Sequence, residues 1–257
     1  MPYYIIDSPF SSSIGSVRIT QGSYLDPAVQ ADATEQGNEN YLHAGGYDAA
    51  ALDFGLGEDF TVLSMADGFI VDVYDGAAVG TSGSHGFGNF VTVRHTVVPT
   101  GGGAPYEFYA TYAHLDAESL ALINWAFDIW ANYGLEMPVS AGDTLGVVGD
   151  AGYGIHLHVQ FGTSTYLSNG AQSYVADGSV NSANTTLLNS LMLSGTLLGP
   201  GGITVGSVET DDYISSLNQD TGELPGQYSP YGVGGGGEPD LLVSGVELAS
   251  YAASPGS

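Results

Sequence analysis

Short hydrophobic runs, separated by segments rich in glycine, proline and small polar residues, dominate the pattern of the chain. The runs are rich in Val, Ile, Phe, Tyr and Thr, and several of them alternate apolar with polar positions. They lie at 16–20, 50–54, 60–75, 89–98, 106–115, 143–150 and 155–161. Runs of this composition, bounded by turn-forming residues, are typical of antiparallel strands. The pattern therefore predicts a mainly β fold.

One segment has the period of a helix instead. In residues 116–134, apolar side chains recur at intervals of three and four residues. They are Leu120, Ile123, Phe127 and Trp130. Asp116 is placed to cap the start of this helix and Gly134 to end it. We therefore expect one α-helix inserted between two strands.

Composition narrows the classes of partner. The 257 residues carry a formal net charge of −26, from 28 acidic side chains against only Arg18 and Arg94. A chain this acidic repels nucleic acid phosphates and anionic lipid headgroups, so neither is an expected partner. The absence of cysteine from the sequence excludes disulfides, thiolate metal sites and cysteine nucleophiles. No apolar run has the length of a membrane span, so membrane insertion is not expected.

The composition also bears on location. The first residues, MPYYIIDSPFSSS, lack the basic region and long apolar run of an ordinary signal peptide. Few Lys and Arg, no Cys and many Gly and Asp resemble proteins that bacteria export unfolded in one step, although a cytosolic protein of a halophile has a similar composition. We predict an extracellular or cell-surface protein without an ordinary signal peptide.

The segment YGIHLHVQFG places two histidines, His156 and His158, one residue apart. On a strand these side chains share a face, and two imidazoles on one face suit a zinc site; the alternative is a surface pair. Asp53 lies in the strand-like AALDF, where alternation puts it opposite Leu52 and Phe54. A carboxylate in an apolar strand is costly unless it is paired or metal-bound. Asp48 is the rival acid, in a glycine-rich loop.

The remaining histidines carry weaker signals when each is taken alone. His43 precedes Asp53 in YLHAGGYDAALDFG, and His114 ends the aromatic run YATYAHL. A histidine at a strand end is more often structural than catalytic. His85 lies in a glycine-rich loop, where we expect it to be a loop residue without a specific role or to line a groove. His95 follows Arg94 and is expected to be structural or to support the site.

Together these segments resemble the lysostaphin-type zinc metalloendopeptidases, which cleave the peptides of peptidoglycan. HAGGYDAALDF resembles the first ligand motif of that family, and TVLSMADGFIVDV its next pair of strands. GFGNFVTVRH, YATYAHL and VSAGDTLGVVGDAGYGIHLHVQF resemble its Gly-Asn hairpin, its YAHL motif and its closing HLH run. The resemblance covers about residues 17–162, and the ordered series of motifs is far more specific than any single motif.

The resemblance implies a fold, a cofactor and a set of roles. The fold is an antiparallel β-sheet with a barrel-like sandwich core. His43, Asp53 and His158 would be the ligands of one zinc ion, with the register of the first motif selecting Asp53 over Asp48. His114 and His156 would be the catalytic pair beside the water and the scissile carbonyl. The partners would be peptidoglycan peptides, cleaved at stem or cross-bridge bonds.

The resemblance and the composition together divide the chain. Residues 1–165 form the predicted peptidase domain, in which the helix at 116–134 is an insertion. Residues 166–221 are predicted as an irregular extension packed on or near that domain, with a short helix at 185–198. Residues 222–257 read as a Gly/Pro-rich linker and the start of a further β module.

Two other functions compete with an active peptidase. A catalytically inactive module of the same fold would bind wall peptides or regulate another hydrolase, but all five family positions are filled here. A cupin-like metal barrel would also use a His-x-His pair, but it needs a glutamate shortly after the pair, and HLHVQFG contains none. The sequence also lacks HExxH and GxSxG, which argues against other metalloprotease and serine hydrolase classes.

Overall fold

The computed structural model describes residues 3–10, 18–21, 23, 25, 48–55, 60–78, 80–81, 86–149, 155–168, 172–193 and 196–197. We number its strands and helices in chain order. The strands are β1 Tyr4–Ile6, β2 Arg18–Gln21, β3 Ala51–Gly55, β4 Thr61–Leu63, β5 Gly68–Tyr74, β6 Asn89–Val97, β7 Tyr106–Leu115, β8 Met137–Val139, β9 Thr144–Val147, β10 Leu157–Gly162, β11 Thr165–Leu167, β12 Tyr174–Ala176, β13 Leu191–Leu193 and β14 Thr196–Leu197. The helices are α1 Ala117–Asn132 and α2 Ser182–Leu188.

A seven-stranded sheet organises these elements, in the order β2-β3-β10-β7-β6-β5-β8. Neighbouring strands of this sheet pair antiparallel throughout. Among the described residues the sheet is open, because β2 and β8 form its edges and do not pair with each other. The prediction of a mainly β, antiparallel fold is confirmed, and the described strands do not close a barrel.

The two faces of the large sheet bury different side chains. Alternation along β3 and β10 sends Leu52, Phe54, Leu157 and Val159 into the main hydrophobic core. Strands β4 and β9 and the buried face of α1 contribute further core residues on that side. The opposite face carries Asp53 and His158, and we call it the site face. A smaller apolar cluster of Phe87, Phe90, Ala113 and Val175 lies on the site face.

Helix α1 forms where the sequence predicts it. The Asp116 side chain caps its start by accepting the backbone N–H of Ser119 at 2.8 Å. Gly134, with a φ of 67°, follows its end. Leu120 is buried, and Ile123 and Phe127 pack against the main core, so three of the four predicted apolar positions face the core. The fourth, Trp130, is exposed. Within the described residues, no helix has both the length and the apolar character needed to cross a membrane.

The predicted irregular extension after residue 165 needs correction where it is described. It contains β11, β12, α2, β13 and β14, and the second helix covers Ser182–Leu188 rather than 185–198. The strands here have only two or three residues. β11 pairs with β12 and β13 with β14, and β13 also pairs in parallel with the distant β1, with Tyr4 opposite Leu191. A local hydrophobic pattern cannot show such pairing. The predicted linker and further module at 222–257 lie outside the described residues.

Strands β11 and β12 pair antiparallel and rest on the site face. The backbone N–H of Ala176 donates to the Thr111 hydroxyl at 2.8 Å, and the Gln160 amide donates to the Ala176 carbonyl. The backbone N–H of Tyr174 donates to the Asp72 carboxylate at 2.8 Å. Burial raises the pKa of Asp72, and the N–H groups of Tyr174 and Val73 act in the opposite direction. The hairpin therefore covers part of the site face next to the histidines.

Candidate active site

Asp53 and His158 face each other across two paired strands. Their Cα atoms are register partners between β3 and β10, and His158 Nδ1 lies 2.9 Å from Asp53 Oδ1. The residues are only 6% and 7% exposed. A buried carboxylate without a partner would be strongly destabilising, so this contact gives a physical reason for an acid in an otherwise apolar strand. Asp48 lies in the turn that precedes β3.

His156 approaches the same carboxylate from the other side. It lies two residues before His158, just outside β10, and its Nε2 atom is 3.5 Å from Asp53 Oδ2. The two histidines therefore lie on one face of the chain, as the alternation of a strand predicts. Each carboxylate oxygen of Asp53 therefore lies close to a different imidazole, Oδ1 to that of His158 and Oδ2 to that of His156.

His114 reaches the cluster through an irregularity in β7. Alternation from Tyr112, in the main core, would put Ala113 on the site face and His114 back toward the core. Instead, the pairing of β6 with β7 shifts register at this point, with Asn89 opposite Leu115 and Phe90 opposite Ala113. His114 is the additional residue of this bulge and has a φ of 63°, a left-handed conformation that non-glycine residues rarely adopt.

Hydrogen bonds on both sides hold this bulge. The backbone N–H of His114 donates to the carbonyl of Phe87 at 3.0 Å, and its carbonyl accepts the N–H of Gly149 at 2.7 Å. The side chain of Asn89 donates to the next carbonyl, that of Leu115, at 3.3 Å. Strained backbone persists only where the surrounding structure fixes it, and it is concentrated at functional sites. The bulge therefore aims the His114 side chain at the other histidines.

The structure brings four of the five predicted site residues together. The ring centroids of His114 and His156 are 4.5 Å apart, and those of His114 and His158 are 5.6 Å apart. Asp53, His114 and His156 are each at most 9% exposed. The fifth predicted residue, His43, lies outside the described residues, as does His85. The cluster therefore combines one carboxylate with three imidazoles.

The described residues supply part of the predicted zinc site. Among them, no group of three His, Cys, Asp or Glu side chains is arranged to hold a metal ion. Asp53 Oδ1 and His158 Nδ1 supply two donors of the type that zinc prefers. Their separation of 2.9 Å is close to the distance of about 3.3 Å between two ligand atoms of a tetrahedral zinc. The described part thus fits two of the three predicted ligands, and His43 would be the third.

His95 occupies a different environment, on the core face of the sheet. It is fully buried, its Nδ1–H donates to the Ala66 carbonyl at 2.9 Å, and its Nε2 accepts the Tyr112 hydroxyl at 2.8 Å. A carbonyl oxygen can only accept a hydrogen bond, so Nδ1 of His95 must carry the proton. In the neutral ring, Nε2 is then the acceptor. Burial lowers the pKa of His95 to about 4, against the weaker opposing effect of hydrogen bonds and of the Asp67 charge. His95 is structural, as one of its two sequence interpretations expected.

Sequence reasoning missed two residues that contact the histidines or the backbone beside them. Phe87 packs its ring edge-to-face on His158, with centroids 5.6 Å apart. Asn89 bonds through its side chain to both backbone groups of Ala77 and to the Leu115 carbonyl. Phe87 and Asn89 both lie in the segment GFGN. Its two glycines, Gly86 and Gly88, were the sequence signal for an unusual backbone conformation there. Neither residue titrates, so a search for chemically reactive side chains passes over them.

Comparisons with known proteins leave the family undecided. No protein-family model matches this chain, and neither the curated proteins nor the solved structures contain a significant match.

Proposed function

We propose that this protein is a zinc-dependent endopeptidase that hydrolyses peptide bonds in the stem or cross-bridge peptides of peptidoglycan. One observation carries the proposal: Asp53, His114 and His158, from three strands, form one buried cluster with His156, which lies just before β10. The resemblance of the ordered sequence motifs to lysostaphin-type peptidases supports the same assignment. A wall substrate also requires the protein to act outside the cytoplasm, at the cell surface or beyond it.

The proposed ligands of the zinc ion are His43, Asp53 and His158. Three protein ligands and one open position are typical of catalytic zinc. When bound, zinc would lower the pKa of a coordinated water toward about 7 and polarise a substrate carbonyl. The role of Asp53 extends beyond its charge, because its second oxygen faces His156 at 3.5 Å.

His114 and His156 are proposed to hold and transfer protons during hydrolysis. The carboxylate oxygen beside His156 Nε2 favours an N–H at that atom, which leaves Nδ1 as the acceptor. The rings of the two histidines meet at a centroid distance of 4.5 Å, so a proton taken up at one is close to the other. Both residues are buried, which limits competition from bulk water.

A non-catalytic module that binds wall peptides remains the second candidate. The two functions differ in whether the protein releases new amino groups from a wall.

Metal content is the first test. Protein purified without added metal should contain about one zinc ion per chain, as expected for a mononuclear site. Asp53→Ala should lose this zinc, and Asp48→Ala is the matched control that should retain it. Loss of zinc from Asp48→Ala alone would show that the wrong acid had been assigned.

Hydrolysis is the second test, with purified walls of several peptide types and free amine as the readout. His158→Ala should lose zinc and activity together. His114→Ala and His156→Ala should keep zinc and fold but lose activity by about 10²–10⁴-fold, the usual contribution of a general acid or base. Wild-type protein that binds zinc and wall fragments but releases no amine from any wall would favour the binding module. Equal zinc loss in His156→Ala and His158→Ala would mean that both are ligands.

A further inference from the structure

Residue Phe87 touches both ends of the histidine cluster. Its carbonyl oxygen accepts the backbone N–H of His114 at 3.0 Å, and its ring lies against the imidazole of His158. The ring planes of Phe87 and His158 meet at 73°, an edge-to-face arrangement. Phe87 is only 3% exposed, so these contacts are not shared with solvent.

The backbone around Phe87 explains how one residue can make both contacts. Gly86 and Gly88 have φ angles of 81° and 57°, in the left-handed region that favours glycine. The chain therefore turns on both sides of Phe87 just before β6 begins at Asn89. This geometry directs the carbonyl toward β7 while the ring enters the small apolar cluster on the site face.

We propose that Phe87 is a positioning residue for the site. Its ring limits the orientations open to the His158 imidazole, so that Nδ1 faces Asp53, and its carbonyl fixes the bulge that aims His114. The expected effect on zinc binding rests on the proposed function. The restraint on the His158 ring does not, because it acts in the protein without metal. Aromatic pairs in this geometry are more favourable than area burial alone explains, and the contact is directional.

Phe90 provides a matched control from the same cluster. Its ring packs edge-to-face on Phe87, with centroids 6.1 Å apart, and stacks on Tyr74 at 5.6 Å. It is fully buried, like Phe87. Phe90→Leu and Phe87→Leu each remove one phenyl ring from this cluster, so both should lower the melting temperature. Only Phe87→Leu removes the ring that restrains His158.

The decisive measurement is made on metal-free protein, by proton–carbon NMR of the histidine rings. In Phe87→Leu, the ring signals of His158 should shift and then broaden or double, because the imidazole samples more than one orientation. Phe90→Leu should leave them sharp, and Phe87→Tyr, which retains a ring, should restore the wild-type signals. Unchanged His158 signals in Phe87→Leu, or the same change in Phe90→Leu, would overturn the proposal.

Zinc affinity, measured by competition with a chelator, separates this proposal from the proposed function. Residues that orient a metal ligand typically change affinity by about 10–100-fold, and we expect about a tenfold loss in Phe87→Leu and little change in Phe90→Leu. If wild-type protein binds no zinc but the NMR differences appear, the peptidase assignment fails and the positioning role of Phe87 stands. If zinc binds equally well to wild type and both leucine variants, the positioning role of Phe87 is overturned and the proposed zinc site stands.

Discussion

Burial of His95 predicts that the protein loses stability in mild acid through this one residue. In the folded state its imidazole is neutral, with Nδ1–H donating to Ala66 and Nε2 accepting from Tyr112. Protonation would place a second N–H against the Tyr112 hydroxyl, which already accepts the N–H of Met65 at 3.0 Å. The folded protein therefore resists a proton that the unfolded chain accepts readily.

The size of the effect follows from the two pKa values. Burial lowers the folded pKa of His95 from 6.5 to about 4. A lowered pKa contributes stability that is present above the unfolded value and is lost as the pH falls through the folded value. At about 1.4 kcal/mol per pKa unit, complete titration would remove about 3 kcal/mol of unfolding free energy. About 2 kcal/mol of this would be lost between pH 7 and pH 5.

Urea unfolding of wild type and His95→Leu at pH 7, 6 and 5 measures this contribution. The variant will be less stable at pH 7, because Tyr112 loses its acceptor, but it cannot be protonated at position 95. The stability difference between the two proteins should therefore shrink by about 2 kcal/mol from pH 7 to pH 5. Acidic groups and the other histidines titrate in both proteins and largely cancel in the comparison.

A constant stability difference over this range would refute the reasoning. Direct titration of the wild-type histidine rings by NMR provides a second check that does not depend on the variant. The His95 ring should still be neutral at pH 5, and a midpoint near 6.5 would contradict the assignment of a buried, neutral imidazole.

Two further predictions concern backbone geometry. His114→Gly should be more stable than His114→Ala by about 1 kcal/mol in urea unfolding, because glycine adopts the left-handed conformation at this position without steric cost. Equal stabilities of the two variants would mean that the bulge relaxes when the side chain is removed. Asp116→Ala should lower the unfolding free energy by about 1 kcal/mol through loss of the cap on Ser119. Glu118→Ala, an exposed acid in the same turn, is its control, and an equal loss there would point to charge rather than capping.

The large sheet could be predicted from the sequence because its strands follow the hydrophobic pattern closely. The runs at 89–98 and 106–115 became β6 and β7 almost residue for residue, and the run at 60–75 contains β4 and β5. Strands buried on one or both faces carry their own apolar signal. The short strands β1, β8 and β11–β14 carry little signal of their own, because each has at most three residues and a pattern this short cannot be distinguished from a loop.

For Asp53, His114, His156 and His158, the sequence indicated the members of the cluster but not its geometry. The place of His43 stays a prediction. Alternation correctly placed Asp53 opposite Leu52 and Phe54, and His156 beside His158. The same rule would have sent the His114 side chain into the core, and only the bulge in β7 brings it to the cluster. A bulge depends on the register between two strands, which a single-sequence pattern does not contain. The assignment of zinc and of the separate roles of the histidines stays a prediction.

The position of β10 in the large sheet determines when the site can exist. β10 lies between β3 and β7, although it follows both of them in the chain. Asp53 and His114 therefore belong to halves of the sheet that remain separate until this last central strand inserts and pairs on both sides. Opening a strand paired on both edges requires near-global unfolding, so the cluster should appear and disappear with the whole fold. If the protein is exported unfolded, as we propose for a wall-directed enzyme, it would cross the envelope without the assembled cluster and would gain it only when folding is complete.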